Sequence, residues 1–316
     1  GVVPLAILDF YRNLGRGEAE ILSIEKYEEN IEAYQYLVPA YAERVPGMQI
    51  EKPMQADLMN LPLEETPSCI DLLVFSNVLN EIQIPAEKRA DLVLRFSRNL
   101  SPDGTIVVIE PADLVNATEM RRTVSVLLDR GLSMFSPCTF IWGTRCHSPT
   151  CWSFEEKGDI KPTRLMEAIS ASASEPYQYI NTDIKFSYAL LRKDRRTREV
   201  YRAPPQAKFA RLSRLSSHVK RRINVVAAVM SADLGDARNH VYKICDGTAK
   251  EPVYAILPRH HESEKNIALR ESAYGGVIEI FNVLVRYNRE HDAYNLLVDK
   301  YTRICPAHPQ RQPDTT

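Results

Sequence analysis

The sequence predicts an α/β protein in two parts: a doubly wound parallel sheet with its helices, then a small β-barrel. Three observations predict it. Residues 1–110 alternate amphipathic helical stretches with short apolar runs, the pattern of a parallel sheet whose crossovers are helices. Between Arg192 and Arg222, twelve Lys and Arg stand against two acids, a net charge of +10, interrupted by APPQ at 203–206. Such a shift in composition marks a boundary. After it come five short β-rich runs with turns between them, which fits a barrel or sandwich.

GVVPLAILDFYRNL opens the chain as a helix, with Pro4 in the first turn, where a missing N–H costs little. AEILSIE (19–25) is a short apolar run ending in an acid, a buried parallel strand. EENIEAYQYLVPAYAERV is an amphipathic helix, and MQIEKPMQAD (48–57) a weaker strand. CIDLLVFSNV (69–78) is a buried strand, EKRADLVLRFSRNL a helix closed by the turn SPDG (101–104), and TIVVIEP (105–111) the next strand. A helix over 117–130 precedes a cysteine-bearing loop (131–155). TRLMEAISA (163–171) reads as helix and DIKFSYALLRK (183–193) as the last strand of this part. The later strands are INVVAAVM (223–230), HVYKICD (240–246), PVYAILP (252–258), VIEIFNVLVRYN (277–288) and AYNLLVD (293–299). The expected organisation is therefore an α/β domain at 1–195, a basic linker at 196–222, a barrel at 223–302 and a disordered tail at 303–316.

The totals exclude some functions. The 316 residues are 44% hydrophobic, enough for one large domain or two ordinary ones, and the net charge is −1. Any nucleic-acid surface must then be local. No apolar run approaches the ~20 residues of a membrane helix, and no secretory segment opens the chain, so no membrane partner is expected. Six cysteines in a long chain without that segment point to metal or redox chemistry more than to disulfides. A monomer is expected.

In doubly wound sheets, ligands bind outside the carboxyl ends of the strands. Glu25 ends one strand and could accept from both hydroxyls of a ribose. Asp57 ends the next and could read an adenine edge. Asn77 and Asn80 follow the third. Polar ends on successive strands form the pattern of S-adenosylmethionine-dependent methyltransferases with a Rossmann-like fold. The bland alternative is that these acids only solvate strand ends or cap helices. The same pattern predicts a strand and a Gly-rich turn before the first helix, with Gly1 as the last glycine of that turn. The first strand is missing from this sequence, so a longer natural protein is expected, or weak cofactor binding. SNVLNEI stands where amino-methylating enzymes often carry an Asn/Asp-Pro-Pro-aromatic turn. No catalytic residue can be assigned.

Cys138, Cys146 and Cys151 crowd into SPCTFIWGTRCHSPTCW with C-x7-C-x4-C spacing, one ligand short of a tetrahedral site. Thiolates are soft ligands for zinc or iron–sulfur clusters, and Pro137, Gly143 and Pro149 let the loop wrap a metal. His147 adjoins Cys146 and converges with it poorly. Cys69 opens a buried strand and is expected in a core. Cys305 adjoins the tail. Cys245, in KICDGT, is the best-placed remote ligand, and a metal bound there would staple the two halves together. Zinc sites favour CxxC pairs, which are absent. The irregular spacing fits a 4Fe–4S cluster better, with zinc as the alternative.

The basic stretch, with Tyr201 and Phe209 interleaved, reads as a footprint for phosphates, or as a solvated linker. The expected RNA-binding residues are Arg195, Arg196, Arg198, Arg211, Arg214, Lys220, Arg221 and Arg222. OB-type barrels commonly bind RNA. PRHH (258–261) adds Arg259 and two adjacent histidines, a weak zinc candidate.

FSNVLNEI, SPC…C…CWSF, YALLRK before a basic linker, and HVYKICDGT together resemble the methyltransferase-like assembly proteins of the small ribosomal subunit. These occur in mitochondria and have bacterial and archaeal relatives. The resemblance covers most of the chain, and the cysteines are its most specific part. It implies a 4Fe–4S cluster on Cys138, Cys146, Cys151 and Cys245, and an S-adenosylmethionine-type fold with Glu25 and Asp57 as the matching acids. It also implies binding to rRNA of the immature small subunit and a role in assembly; the alternative is an active rRNA methyltransferase. The chain reads as a compact prokaryotic, cytoplasmic form, since no transit segment precedes Gly1; a eukaryotic one would act in the mitochondrial matrix.

Overall fold

The computed structural model describes the chain except Arg16 and residues 144–145, 147–150, 173–182, 199–200, 202–207 and 308–316. It divides into two compact units, Gly1–Cys69 and Ile70–Thr316, whereas the sequence suggests a boundary near residue 195. The reason is packing. One apolar cluster joins Ile141 and Tyr188 to Val226, Ala228 and Val277, so the basic stretch does not separate two independent cores.

In the first unit, α1 (Val2–Leu14) and α2 (Glu28–Ala42) pack around Leu8, Tyr34, Val38 and Val45. Gly15 ends α1 at φ 68, with its N–H on the Arg12 carbonyl, a left-handed cap that glycine adopts without strain. The two expected strands are each broken in two. β1 (Ala19–Ile21) pairs in parallel with β3 (Met48–Ile50), and β2 (Ile24–Glu25) with β4 (Met54–Gln55). Pro53, which has no N–H, interrupts the ladder between β3 and β4. The expected single doubly wound sheet is thus replaced by separate sheets.

The second unit holds β5 (Ile70–Ser76), α3 (Ala86–Ser97), β6 (Leu100–Pro111), α4 (Leu114–Asp129), β7 (Ser133–Ser136), β8 (Glu155–Lys157), α5 (Arg164–Ser172) and β9 (Ile184–Arg192). The sheet order is β5-β6-β9-β7, with β8 also on β9. Only β5 and β6 run parallel; β9 is antiparallel to β6, β7 and β8. The sheet is mixed, not all parallel, because β9 returns between two strands already laid down. The expected turn at 101–104 is absorbed into β6 as a shift in register between Ile70 and Leu72. β7 falls inside the stretch expected as a cysteine loop and β8 starts at its last residue; three or four residues are too few to show alternation. Asp113 caps α4, accepting from the N–H groups of Val115 and Asn116 at 3.1 and 3.0 Å, as an N-cap aspartate does.

The same unit closes a five-stranded barrel from β10 (Arg222–Val229), β11 (Asn239–Cys245), β12 (Val253–Pro258), β13 (Val277–Asn288) and β14 (Ala293–Leu297), with α6 (Ala268–Glu271) between β12 and β13. The order is β10-β11-β12-β14-β13, and β13 pairs back to β10. All pairs are antiparallel except β12 with β14. Along β10 the side chains alternate as a half-covered strand requires: Val225, Ala227 and Val229 fill the barrel, while Val226, Ala228 and Met230 join the outer cluster.

Two expected boundaries move. A 3-10 turn at Leu212–His218 drives Leu212 and Leu215 into the barrel core, 2% and 0% exposed, so the second half of the expected linker belongs to the barrel. β15 (Arg303–Pro306) pairs with β13, with Ile304 opposite Ile280. The first residues of the expected disordered tail are therefore a strand, because Ile304 completes the core; residues 308–316 lie outside the described chain. Leu215→Ala is expected to destabilise the barrel by about 2–5 kcal/mol, the range for truncating a buried leucine, read from the denaturation midpoint. No helix among the described residues is long and apolar enough to cross a membrane.

Candidate functional site

The outer face of β10 and the end of β11 meet the segment that follows β7. Trp142 Nε1 donates to Asp246 Oδ2 at 2.8 Å, and the same oxygen accepts from the Leu212 N–H at 2.9 Å. Asp246 is 1% exposed, so one buried carboxylate ties the cysteine segment to the barrel. Its neighbour Cys245 is thereby turned toward that segment. Gly275, at φ +80, lies against Pro137; a Cβ there would stand 3.1 Å from the Pro137 carbonyl oxygen. Only glycine permits that approach without strain.

Cys138, Cys146, Cys151 and Cys245 are brought together here. Cys245 shares a hydrogen bond with Cys146 and lies within electrostatic reach of Cys138 and Cys151. The Gly247 N–H points at Cys245 Sγ from 3.3 Å, and Lys243 Nζ lies 3.9 Å from Cys151 Sγ while bonding the Trp152 carbonyl. The hydrogen bond with Cys146 and burial both raise the Cys245 thiol pKa. Burial pushes Cys138 up to about 11, against the pull of Arg121. Cys146 and Cys245 pack as hydrogen-bonding neighbours; among the described residues no three His, Cys, Asp or Glu side chains stand in metal-ligating geometry. His147 lies outside the described residues. Cys69 is exposed, not buried in a core as the sequence suggests, because it precedes β5 instead of lying within it.

Arg121 stands beside this cluster, and the sequence reading missed it. On α4 and 7% exposed, it donates to the Tyr188 carbonyl at 3.0 Å and the Tyr274 hydroxyl at 3.1 Å. Its Nε has no partner, and no carboxylate among the described residues pairs with it. A buried guanidinium without a counter-charge is costly. Nothing in the local sequence, EMRRTV, separates it from the solvent-facing Arg122 except helical phase.

A second buried group lies at the end of β6. Glu110, 1% exposed, accepts the Leu79 N–H at 3.0 Å and further backbone bonds from Val78 and Asn80. It thereby fixes the turn after β5. Among the described residues its Oε2 and the Asn80 Oδ1 have no partner, and both residues line one small cavity with Arg89 and Glu119.

Of the expected cofactor residues, Glu25 accepts the Lys26 and Tyr27 N–H groups through one oxygen, at 2.8 and 3.0 Å. Asp57 accepts Lys26 Nζ and the Met59 N–H, both at 2.9 Å, and these bonds lower its pKa. Both acids thus hold the turns after β2 and β4. Gly1 stands at the N-cap of α1 and offers its carbonyl to Leu5. Asn77 is exposed at φ 52, with its N–H on the Ile109 carbonyl.

Residues 213–307 match the model of a family described as the C-terminal domain of DUF8157, a domain of unknown function. No curated protein matches the chain. Similar solved structures include a protein from Leishmania major Friedlin assigned as an aspartyl-tRNA synthetase, at 15% identity over 34% of this chain and 22% of that one, with a TM-score of 0.26. The Ifi202 HINa domain in complex with 20bp dsDNA is similar at 12% identity over 39% of this chain and 59% of that one, TM-score 0.26. A protein from Thermoplasma acidophilum assigned as a methyltransferase is similar at 12% identity over 63% of this chain and 67% of that one, TM-score 0.34. The chain spans 22% and 59% of the length of the first two.

The DUF8157-matched region and the residues just before it carry an open cleft of about 770 Å³. Its lining includes Lys208, Phe209, Arg211, Arg214, His218 and Arg222. Arg214 is exposed, and Arg211 lies with its guanidinium 5.1 Å from the Trp142 ring centre. Arg222 is engaged with Asp299 at 2.5 Å. Lys220 and Arg221 are exposed just before β10. Arg195, Arg196 and Arg198 follow β9 and do not line the cleft; Arg196 lies 3.6 Å from Asp194. The expected basic residues therefore fall into two groups instead of one linker. Ala210, Ile223, Asn224 and Asn282 complete the lining among the described residues. Asn282 could not be found from sequence, because its φ of 60 in the middle of β13 leaves no compositional mark.

Proposed function

We propose that the protein is an rRNA-binding assembly factor of the small ribosomal subunit, built on a Rossmann-like methyltransferase fold and an OB-like barrel. Cys138, Cys146, Cys151 and Cys245 would hold a 4Fe–4S cluster between them, with zinc as the alternative metal. The observation that carries this reading is the convergence of the cysteine that ends β11 on three cysteines between β7 and β8, beside a buried guanidinium with no carboxylate partner among the described residues. Four soft thiol donors suit such a centre, and its negative charge would neutralise Arg121. The lysine at Cys151 and the N–H at Cys245 Sγ are groups that stabilise thiolate. When bound, the cluster would supply a cross-link between the α/β sheet and the barrel; no electron-transfer partner is implied.

The strand order of the barrel supports the OB-like reading. Numbered within the barrel, it runs 1-2-3-5-4 and closes to 1, with strands 3 and 5 parallel and a short helix between strands 3 and 4. Barrels of this kind bind oligonucleotides. The helix-connected parallel pair β5–β6 supports the α/β reading, with Glu25 and Asp57 as candidate cofactor acids. The protein would bind the immature subunit as a monomer, in the prokaryotic cytoplasm or the mitochondrial matrix.

The test is to incubate the chain with small-subunit RNA and labelled S-adenosylmethionine. The expected outcome is salt-sensitive RNA binding, as counterion release requires, without methyl transfer. Transfer that disappears in Glu25→Ala would replace the assembly factor by an active rRNA methyltransferase. Absence of RNA binding at low salt would remove both.

A further inference from the structure

We infer that the cleft beside β10 and β13 is a single-stranded RNA subsite, holding phosphates on Lys208, Arg211 and Arg214 and a base on Phe209. This rests on the RNA-binding reading and deepens it by naming the form of RNA and the residues that grip it.

The charge in the cleft is poorly compensated. Among the described residues no carboxylate pairs with Lys208, Arg211 or Arg214 in an ion pair, whereas Arg222 spends its charge on Asp299. Among the described residues no acid lines the cleft. Three cations without a carboxylate partner among the described residues, Arg211 also lying over the Trp142 ring, surround one concavity and would attract a polyanion. The aromatic groups narrow the choice. Phe209 packs at 5.6 Å and 49° on Phe281, whose other neighbour is the Arg303 guanidinium, 4.5 Å from the ring centre. A ring backed in this way is a stacking platform, and base–aromatic stacking is the sequence-tolerant half of single-strand recognition. A peptide of acidic residues alone, such as poly-glutamate, would satisfy the cations but has no ring to stack on Phe209. Asn224, whose Oδ1 accepts the Asn282 N–H at 2.9 Å, adds an amide nitrogen at the same edge, suited to a base or a sugar hydroxyl.

The location has a structural reason. In OB barrels the strand 2–3 face carries the oligonucleotide. Here the outward residues at the end of β11 are engaged by the cysteine segment: Lys243 bonds Trp152, and Cys245 bonds Cys146. The seam where β10 starts and β13 bends at Asn282 stays open. A duplex fits poorly, since its bases are already stacked.

The experiment measures binding of the full chain to a 12-nucleotide oligouridylate, a 12-base-pair RNA duplex, poly-glutamate and small-subunit rRNA, by fluorescence anisotropy across salt. Oligouridylate should bind more tightly than duplex or poly-glutamate. Lys208→Ala and Arg214→Ala, at exposed positions, should each weaken it and lower the salt slope by about one. Phe209→Leu, which keeps an apolar side chain in the packing, should weaken it about 5- to 100-fold, the fold-change equivalent of a lost stack, with the slope unchanged. Arg289→Glu, exposed and outside the cleft, should change little. If wild type and cleft variants bind oligouridylate and rRNA alike, the cleft is refuted while RNA binding stands. Equal or tighter binding of poly-glutamate, or equal losses in Arg289→Glu and Arg214→Ala, also overturns it. If the wild type binds no RNA at all, the underlying reading fails as well.

Discussion

With the proposed cluster bound, Cys245→Ser is expected to strip it, taking iron and sulfide from about four of each per chain, the content of a 4Fe–4S centre, to near zero. Serine is a poor ligand for a soft centre, and Cys245 is the one member of the set that the barrel contributes. The loss should also loosen the barrel from the α/β sheet. The apolar cluster and the Trp142–Asp246 bond would remain, but Arg121 would face the apolar interior without its counter-charge. Structural zinc in small fingers contributes an apparent 10–16 kcal/mol, so a drop of several kcal/mol and faster proteolysis between β9 and β10 are expected. Cys305→Ser, on β15 and outside the set, should keep its metal. A colourless chain carrying zinc would replace iron–sulfur by the alternative metal. Full metal content in Cys245→Ser would end the proposal.

Glu110→Gln should stabilise the protein above neutral pH and flatten its pH dependence. Burial raises the Glu110 pKa from 4.5 to about 7, against the backbone bonds from Leu79, Asn80 and Val78 and the charge of Arg89. The folded protein then holds a proton between those values that the unfolded chain has released. Stability is therefore fullest below the unfolded pKa and declines as pH rises through the window to about 7. The shift corresponds to about 3 kcal/mol. Burial explains it; among the described residues Glu110 Oε2 and Asn80 Oδ1 both lack a donor, so nothing offsets the cost of a charged carboxylate at Oε2. A glutamine keeps an acceptor for the turn and adds N–H groups at every pH. Denaturation at pH 5 and pH 8 should separate the two proteins by about 2–3 kcal/mol at pH 8 and little at pH 5. A variant with the wild-type pH dependence would show that another group titrates.

These two sites differ in how far the sequence reveals them. The three clustered cysteines are conspicuous by spacing, and Cys245 stands out once Cys69 and Cys305 are set aside by position. Arg121 is invisible: it follows Met120 in an ordinary amphipathic helix, and only the placement of Tyr188 and Tyr274 makes it a buried cation. Glu110 ends a strand as Glu25 does, yet one is sealed under a turn and the other holds an exposed one. A strand end gives the position of a carboxylate, not its depth.

The sequence by itself determined the local structure: helices α1 to α5 from periodicity, β5 and β9 from apolar runs, five barrel strands from short β-rich runs with turns between them, and a concentration of positive charge before them. Those follow from side-chain period and backbone chemistry within a few residues. Only the tertiary structure decided that β9 runs antiparallel between β6 and β7, that residues 212–218 and 303–306 belong to the barrel, and that the basic residues divide between a cleft and a turn. Strand order and burial depend on contacts between residues far apart in the chain, and no local period encodes which distant partner a surface will meet.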